Sequence, residues 1–315
     1  MLSRAADNLY WMMRYTERAE AMARILDVAH RMALQGSVGA QRGGPWEPAL
    51  IIAGCDKAFA LHGGPATPRN VIDFLSFAPD NPSSIYACLR AARENARAMR
   101  AQITSEAWQS INAAWLEMRT LTHDKAEADG YSIFFDWVRE RSHLFRGVAE
   151  ATMPRGDAYR FMRLGTLIER ADATARILDV KYHILLPSPG DVGGAVDYYQ
   201  WAALLRSVSS FRIYRQIYRD AIRPIKVAEL LILREDMPRS LHACFSEIVD
   251  ILHELREGYR VNYRSVRLAE RMLMRLRYGK IETIFERGLH EYLTEIVDAN
   301  IELGAQIAQD FMQPA

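Results

Sequence analysis

The residues best suited to chemistry in this sequence are glutamates placed beside arginines in two similar segments. Each segment has a Glu-Arg pair and a second arginine seven residues after the glutamate: Glu17, Arg18 and Arg24 in the first, and Glu169, Arg170 and Arg176 in the second. On a helix, side chains seven residues apart point in the same direction. Because a planar guanidinium can hold a carboxylate or a phosphate through two hydrogen bonds, this pattern suits ion pairing or anion binding. It also suits acid/base catalysis by the glutamates.

Three interpretations of these charged helix faces remain open. In the first, side chains three or four residues apart, such as Glu20 and Arg24, form a solvated ladder in which each pair contributes about 0.2–0.5 kcal/mol. In the second, the two helices form a structural network of ion pairs with each other. In the third, the charged face binds a ligand or a partner. A solvated ladder would accept lysine in place of arginine, yet both segments keep the same arginines.

A second candidate site is a basic helix face in the first half of the chain. Its members are Arg93, Glu94, Asn95 and Arg97, flanked by Arg90 and Arg100. The corresponding positions in the second half hold different residue types: Val249, Asp250, Ile251 and His253. Such a face could bind the carboxylate or phosphate of a peptide, a nucleotide or an acyl phosphate. The alternative is an ordinary solvated charged surface.

Other kinds of site find little support. The sequence contains no GxSxG nucleophile elbow, no GxxxxGK[ST] phosphate loop and no GxGxxG turn. Di-iron helical bundles use Glu-x-x-His pairs, and only Glu140 to His143 has this spacing with a glutamate. The three cysteines show no CxxC spacing, which argues against a zinc ribbon. The sequence therefore predicts no metal and no cofactor.

The two charged segments belong to a duplicated unit. Glu17–Val28 reads ERAEAMARILDV and Glu169–Val180 reads ERADATARILDV, with ten identities in twelve positions. Val71–Leu89 and Val227–Phe245 match further along the chain. Apolar residues recur every three or four positions, whereas strand-like alternation is hard to find. The sequence therefore predicts an all-α helical bundle built from two tandem, pseudo-symmetric repeats that share one core.

The predicted domain spans residues 1–315, with repeats at 1–150 and 151–315. Caps, prolines and glycines predict helix starts at Thr67-Pro68 and Asn81-Pro82. The predicted longer helices are Ser3 to about Leu34, Asp157 to before Pro187, Asp197–Ile222, Arg239–Gly258, Tyr259–Tyr278 and Glu282–Phe311. The loops between them include Gly36–Gly44 and Pro187–Asp197.

The composition excludes some function classes. The chain has 40 basic and 39 acidic residues among 315, which gives no electrostatic footprint for nucleic acid. It has no apolar run long enough for a membrane span, and Met1–Tyr10 lacks the apolar core of a signal peptide. The sequence therefore predicts a cytoplasmic protein that binds neither nucleic acid nor membrane.

The two Glu-Arg helices, NPSS at Asn81–Ser84, ARENAR at Ala92–Arg97 and PRS at Pro238–Ser240 together resemble the alpha-E family of bacterial helical proteins. The resemblance covers essentially the whole chain. It implies partnership with a circularly permuted ATP-grasp ligase, and possibly with a transglutaminase-like or a proteasome-like protein. Such partners imply peptide or amide-bond modification. The chain departs from the family pattern at Met13, where a glycine is usual, and at Thr166, where an arginine is expected.

Two functions remain open at this stage. The first is an accessory protein that binds an ATP-grasp ligase or its peptide or aminoacyl substrate and performs no covalent step. The second is an enzyme of amide or peptide metabolism that uses the Glu-Arg pairs as acid/base groups and anion clamp. The duplication also predicts that the two helices pack about a pseudo-two-fold axis. Glu17 should then lie near Arg170 or Arg176, and Glu169 near Arg18 or Arg24.

Overall fold

The computed structural model describes residues 3–34, 46–183, 194–259 and 263–312. Within these ranges all regular elements are helices, which confirms the all-α prediction. In chain order they are α1 (Ser3–Leu34), α2 (Trp46–Ile52), α3 (Asp56–His62), α4 (Pro68–Ser76), α5 (Ile85–Ala98), α6 (Ser105–Met118), α7 (His123–Asp129), α8 (Tyr131–Thr152), α9 (Asp157–His183), α10 (Ala195–Ser207), α11 (Phe211–Tyr218), α12 (Pro224–Ile232), α13 (Leu241–Tyr259), α14 (Arg264–Arg277), α15 (Ile281–Arg287) and α16 (Leu289–Phe311).

The two long helices α1 and α9 pack against each other at the centre of the bundle. Helices α5 and α8 also pack on α1, whereas α13 and α16 pack on α9. Because each central helix has neighbours on several sides, it is buried around most of its circumference rather than along one stripe. A Cβ atom on Gly165 would overlap the backbone carbonyl of Tyr10. Glycine therefore allows the two backbones to meet at this point.

Helix caps confirm one predicted start and correct another. The Thr67 hydroxyl accepts a hydrogen bond from the backbone of α4, and Pro68 occupies the first turn, as predicted. The predicted start at Asn81-Pro82 is wrong, because the Asn81 side chain instead closes a turn by accepting from the Ser83 N–H. Ser84 is the residue that caps α5.

The first long helix spans the predicted residues Ser3–Leu34, and the helix that carries Glu169 begins at the predicted Asp157 and is described as far as His183. The predicted helix Asp197–Ile222 is wrong as a single element, because the chain leaves the helix near Ser209, whose φ is +60°. Similarly, Glu282–Phe311 is divided at Gly288, whose φ of +104° a side chain would disfavour.

The Gly36–Gly44 loop and the loop from residue 187 to residue 193 lie outside the described residues. Among the helices that are described, none is both long enough and apolar enough to cross a membrane.

Candidate ion-pair site and adjoining cavity

The two Glu-Arg pairs meet where α1 packs on α9. Nε of Arg170 donates to Oε1 of Glu17 over 3.0 Å, and Nε of Arg18 donates to Oε1 of Glu169 over 2.5 Å. Each glutamate therefore pairs with the arginine of the other segment, which confirms the predicted exchange. Both glutamates are buried, so the pairs are not a solvated ladder.

The later arginines of the two segments pair within their own helices instead. Arg24 donates to Glu20 from both Nε and a terminal nitrogen, over 2.9 and 2.7 Å. Nε of Arg176 donates to Asp172 over 2.6 Å. These arginines thus hold the second acidic residue of each segment, and they are not the cross-helix partners.

The Glu17 carboxylate accepts hydrogen bonds from three arginines on three different segments. Besides Arg170, a terminal nitrogen of Arg146 on α8 donates over 2.5 Å. A terminal nitrogen of Arg239, which lies just before α13, donates over 3.3 Å. Both Glu17 oxygens therefore accept hydrogen bonds, and this one carboxylate connects α1 to α8, to α9 and to the turn before α13.

Glu20 lies one turn further along α1 and is as fully paired. Its side chain is completely buried, and Ser142 donates to it over 2.8 Å. Arg146 bridges to it over 2.5 Å, and Arg239 also donates to it. Arg146 and Arg239 thus contact both glutamates, whereas Arg24 on α1 contacts only Glu20 and Arg170 on α9 contacts only Glu17. We call this set the arginine-rich cluster: Glu17, Glu20, Arg24, Arg146, Arg170 and Arg239.

The arginines hold the two glutamates in their charged form. Burial alone would raise the pKa of Glu17, but Arg146 and Arg170 outweigh it and lower this pKa to about 2. Burial also opposes ionisation of Glu20, yet Arg239 and Arg146 hold its pKa well below the usual range. Burial lowers the pKa of Arg239 to about 10, so this guanidinium is still charged at neutral pH.

The corresponding pair in the second segment has fewer partners. Arg18 contacts Glu169 with Nε and a terminal nitrogen, and Nε of Arg14 donates to the same carboxylate over 2.9 Å. The Arg14 guanidinium also lies 4.5 Å from the Trp11 ring centroid. Burial opposes the charge on Glu169, but Arg18 and Arg14 lower its pKa.

A cavity of about 230 Å³ opens beside this second pair. Its charged walls are Arg18, Glu169, Asp172 and Arg176, and its remaining walls are Ala21, Met22, Ile25, Ile52, Ala53, Gly54, Ser83 and Ala173. Burial raises the pKa of Asp172, and Arg176 only partly offsets this effect. A carboxylate that faces a cavity with so little pairing has spare capacity to accept hydrogen bonds.

A second cavity of about 180 Å³ lies further along α9. It shares Ile52 and Arg176 with the first cavity. Its other walls are mostly apolar: Ile51, Ala175, Asp179, Leu293, Thr294 and Val297. The second cavity is thus less charged than the first, with Arg176 and Asp179 as its charged walls.

The basic face on α5 lies apart from this site. Arg93 donates to Asn112 on α6 over 3.1 Å and packs beside the Trp108 ring. Glu94 pairs with Arg93 over 2.6 Å and with Arg97 over 2.9 Å. Asn95 belongs to the same helix but has no hydrogen bond that links it to the Glu-Arg pairs within the described residues. The structure therefore does not bring the two predicted sets together.

Two residues of the arginine-rich cluster were missed by sequence reasoning. Arg146 lies on α8, and Arg239 lies in the turn before α13. Neither arginine lies in a motif that has a charged residue at the same position in both halves. The PRS motif gave the only sequence signal for Arg239, because it places this residue beside a capping serine.

Thr166 and Arg146 differ from Arg14 in how they relate to the paired glutamates. Position 166 matches Arg14 at the offset of 152, and Arg14 binds the glutamate of the opposite helix. The Thr166 hydroxyl instead donates to the Met162 carbonyl on its own helix, over 3.2 Å. Glu17, the counterpart of Glu169, receives a guanidinium from Arg146 on α8.

A group suited to metal binding lies elsewhere in the described residues. His123, Asp124 and Glu127 present ligand atoms within 4.8 Å of one another. However, Arg69 bonds to both carboxylates, so these oxygens already have a cationic partner. Glu140 and His143 are both exposed on α8.

A model of the Alpha-E family, described as a predicted alpha-helical domain with a conserved ER motif, matches residues 1–312. Two uncharacterised proteins, one of Mycobacterium bovis and one of Mycobacterium tuberculosis, are each 26% identical to this chain over 315 residues. The match covers 93% of this chain and 35% of each relative, so the chain spans about a third of these curated relatives. No solved structure gives a significant match.

Proposed function

The chain belongs to the Alpha-E family, and from this premise we propose that it is a non-catalytic accessory protein that binds a peptide or aminoacyl group. The observation that carries the proposal is the cavity of about 230 Å³ beside Glu169. It is smaller than the roughly 300–1,000 Å³ of drug-sized sites, so it suits one amino-acid-sized part of a ligand. Charges of both signs line it, and amino acids and peptide ends carry both signs.

The alternative function, acid/base catalysis by the Glu-Arg pairs, has less support. A general acid or base works best when its pKa lies near the working pH. Glu17 and Glu169 both have lowered pKa values and are paired with arginines inside the bundle. Each would have to give up buried ion pairs before it could take a proton. The pairs therefore suit a structural role beside a binding site.

We propose an ATP-grasp ligase as the partner, with the accessory protein presenting the substrate in the cytoplasm. The family resemblance supports this choice, and a transglutaminase-like or proteasome-like protein is the second candidate. The lengths of the mycobacterial relatives also fit a role beside a partner, because most of each relative lies outside the segment that this chain matches. In those relatives, the matching segment is joined to additional sequence within one longer chain.

We also infer that the two halves are copies of one ancestral unit that share a core. The exchanged ion pairs support this inference. So do two matching turns, because Ser84 donates to the Ala78 carbonyl and Ser240 donates to the Arg234 carbonyl, in each case six residues back. Each serine also caps the next helix in the same way.

The test is a reconstituted reaction. The full chain is incubated with an ATP-grasp ligase, ATP and candidate amino acids, and new amide products are identified by mass spectrometry. We expect product to require the ligase and to increase when the chain is added. Asp172→Asn should reduce this stimulation, whereas Asp129→Asn, at an exposed position, should not. Product formed by the chain without ligase would overturn the proposal in favour of the enzyme.

A further inference from the structure

The same turn carries different side chains in the two halves of the chain. Ser83 and Arg239 occupy matching positions, each immediately before a capping serine. Arg239 places its guanidinium between Glu17 and Glu20 and donates to both. Ser83 is too short to make such a bridge, and it lines the wall of the cavity of about 230 Å³ instead. That cavity thus lies where the other half has an arginine.

Glu169 and Asp172, the two carboxylates that face the cavity, accept fewer hydrogen bonds than Glu17 and Glu20, which match them in the other half. Oε1 of Glu17 accepts hydrogen bonds from two arginines, whereas Oε1 of Glu169 accepts from Arg18 only, within the described residues. Oδ2 of Asp172 accepts a hydrogen bond from one arginine, Arg176. Within the residues that the structure describes, Oδ1 of Asp172 accepts none. One cationic donor is therefore missing on this side of the molecule.

We propose that the cavity binds a guanidinium or primary ammonium group of a ligand, in the place that Arg239 takes in the other half. The ligand class is a peptide or aminoacyl group with an arginine-like or lysine-like cation. This inference rests on the proposed binding function and specifies which part of the ligand is recognised. The bound cation would donate to Glu169 and Asp172, the two carboxylates with unfilled oxygens.

The arginines around the cavity do not exclude a cation. In the arginine-rich cluster, two glutamates hold the Arg239 guanidinium although three other arginines surround them. Around Glu169 and Asp172 there are also three arginines: Arg14, Arg18 and Arg176. With one added cation, each pair of carboxylates would have four cationic groups around it. Its arrival would also lower the pKa of Asp172, which burial now raises.

An anionic ligand has less to gain from these groups. Arg18 already gives Nε and one terminal nitrogen to Glu169, and Arg176 gives Nε to Asp172. A carboxylate in the cavity would have to compete with these bonds and would face two carboxylates of the protein. The free acceptor oxygens favour a donor group that carries positive charge.

The experiment uses isothermal titration calorimetry on the full chain with four probes. Nα-acetyl-L-arginine amide and Nα-acetyl-L-lysine amide carry the proposed cation on the side chain and no other charge. Nα-acetyl-L-citrulline amide has nearly the shape of the arginine probe but no charge, and N-acetyl-alanine carries only a negative charge. We expect saturable binding of at least one of the first two probes, and binding of the citrulline probe that is weaker by about tenfold or more, because a charge-assisted hydrogen bond is lost.

Two variants test the location of the site. Ser83→Arg gives this half its own guanidinium and should abolish binding of the cationic probes, while Gln109→Arg, which adds the same group at an exposed position on α6, should leave binding unchanged. If Ser83→Arg does not fold, Asp172→Asn provides the second test and should weaken binding about tenfold or more. The inference is overturned if neither cationic probe binds, or if Nα-acetyl-L-citrulline amide or N-acetyl-alanine binds as tightly as the cationic probes. It is also overturned if Ser83→Arg and Asp172→Asn bind the cationic probes as the original chain does.

Failure of this inference can be told apart from failure of the proposed function, because the titration needs no ligase. If the cationic probes bind but the chain does not affect a ligase reaction, the cation site stands and the accessory role fails. If the chain stimulates ligation of uncharged substrates and no cationic probe binds, the accessory role stands and the cation site is wrong.

Discussion

Nε of Arg170 on α9 donates to Oε1 of Glu17 on α1 over 3.0 Å, inside the contact between the two central helices. The reverse pair, Arg18 with Glu169, lies in the same contact. Buried ion pairs add little net stability compared with apolar packing, but removal of one partner is costly. Such pairs therefore favour one register of α1 against α9 over alternatives that would leave a charge unpaired.

Glu17→Gln should destabilise the protein by about 3–5 kcal/mol, because it leaves Arg170 without a carboxylate partner and leaves Arg146 and Arg239 with Glu20 alone. Urea unfolding followed by circular dichroism measures the change. Glu94→Gln, at an exposed position on α5, is the matched control and should change stability by at most about 0.5 kcal/mol. A Glu17→Gln variant as stable as the control would show that the pair contributes nothing to the fold.

Acid should weaken the fold through the same carboxylate. The pKa of Glu17 is lowered from 4.5 to about 2, so folding favours its ionised form. This contribution is fully present above about pH 4.5 and is lost as the pH falls towards about 2. The free energy of unfolding, measured in urea across this range, should therefore fall faster for the original chain than for Glu17→Gln. Parallel curves for the two proteins would contradict the assignment.

Gly165→Ala should destabilise the protein by about 1–3 kcal/mol or more, because the new Cβ would overlap the backbone carbonyl of Tyr10. The α1 and α9 backbones would have to separate, and the exchanged ion pairs would lengthen. Gly147→Ala on α8 is the control, since a Cβ there meets no atom within 4 Å. In a helix this control should be stabilising by about 0.4–1 kcal/mol. Thermal unfolding compares the two variants, and equal melting temperatures would argue against close contact at Gly165.

Much of the helical framework could be predicted because its signals are local. Thr67 and Pro68 mark a helix start by the hydrogen bonds that they can and cannot make. The breaks at Ser209 and Gly288 were missed, because apolar periodicity continues across both and the sequence does not show which tertiary contacts turn the chain. Asn81 misled for a related reason, since its side chain can close a turn or cap a helix.

The candidate site was predictable only where two segments of the chain match each other in sequence. The duplication related Glu17 to Glu169, and this relation predicted the exchanged partners that the structure confirms. Arg239 matches Ser83 in the other half, and Arg146 lies outside the matched segments, so only the three-dimensional packing shows that they reach the same carboxylates. Repeat matching shows that Ser83 stands where Arg239 stands in the other half, but only the structure shows that Ser83 lines a cavity.

Arg239→Ser should open, beside Glu17 and Glu20, a vacancy like the one that faces Ser83. The variant should lose about 2–4 kcal/mol of stability, because two buried carboxylates lose a shared donor. Millimolar ethylguanidinium should then raise the melting temperature of Arg239→Ser and not that of Arg239→Lys, whose ammonium still occupies the space. If the small cation has no selective effect, the Glu17 and Glu20 pair does not act as a cation receptor, and the precedent for the cavity in the other half is lost.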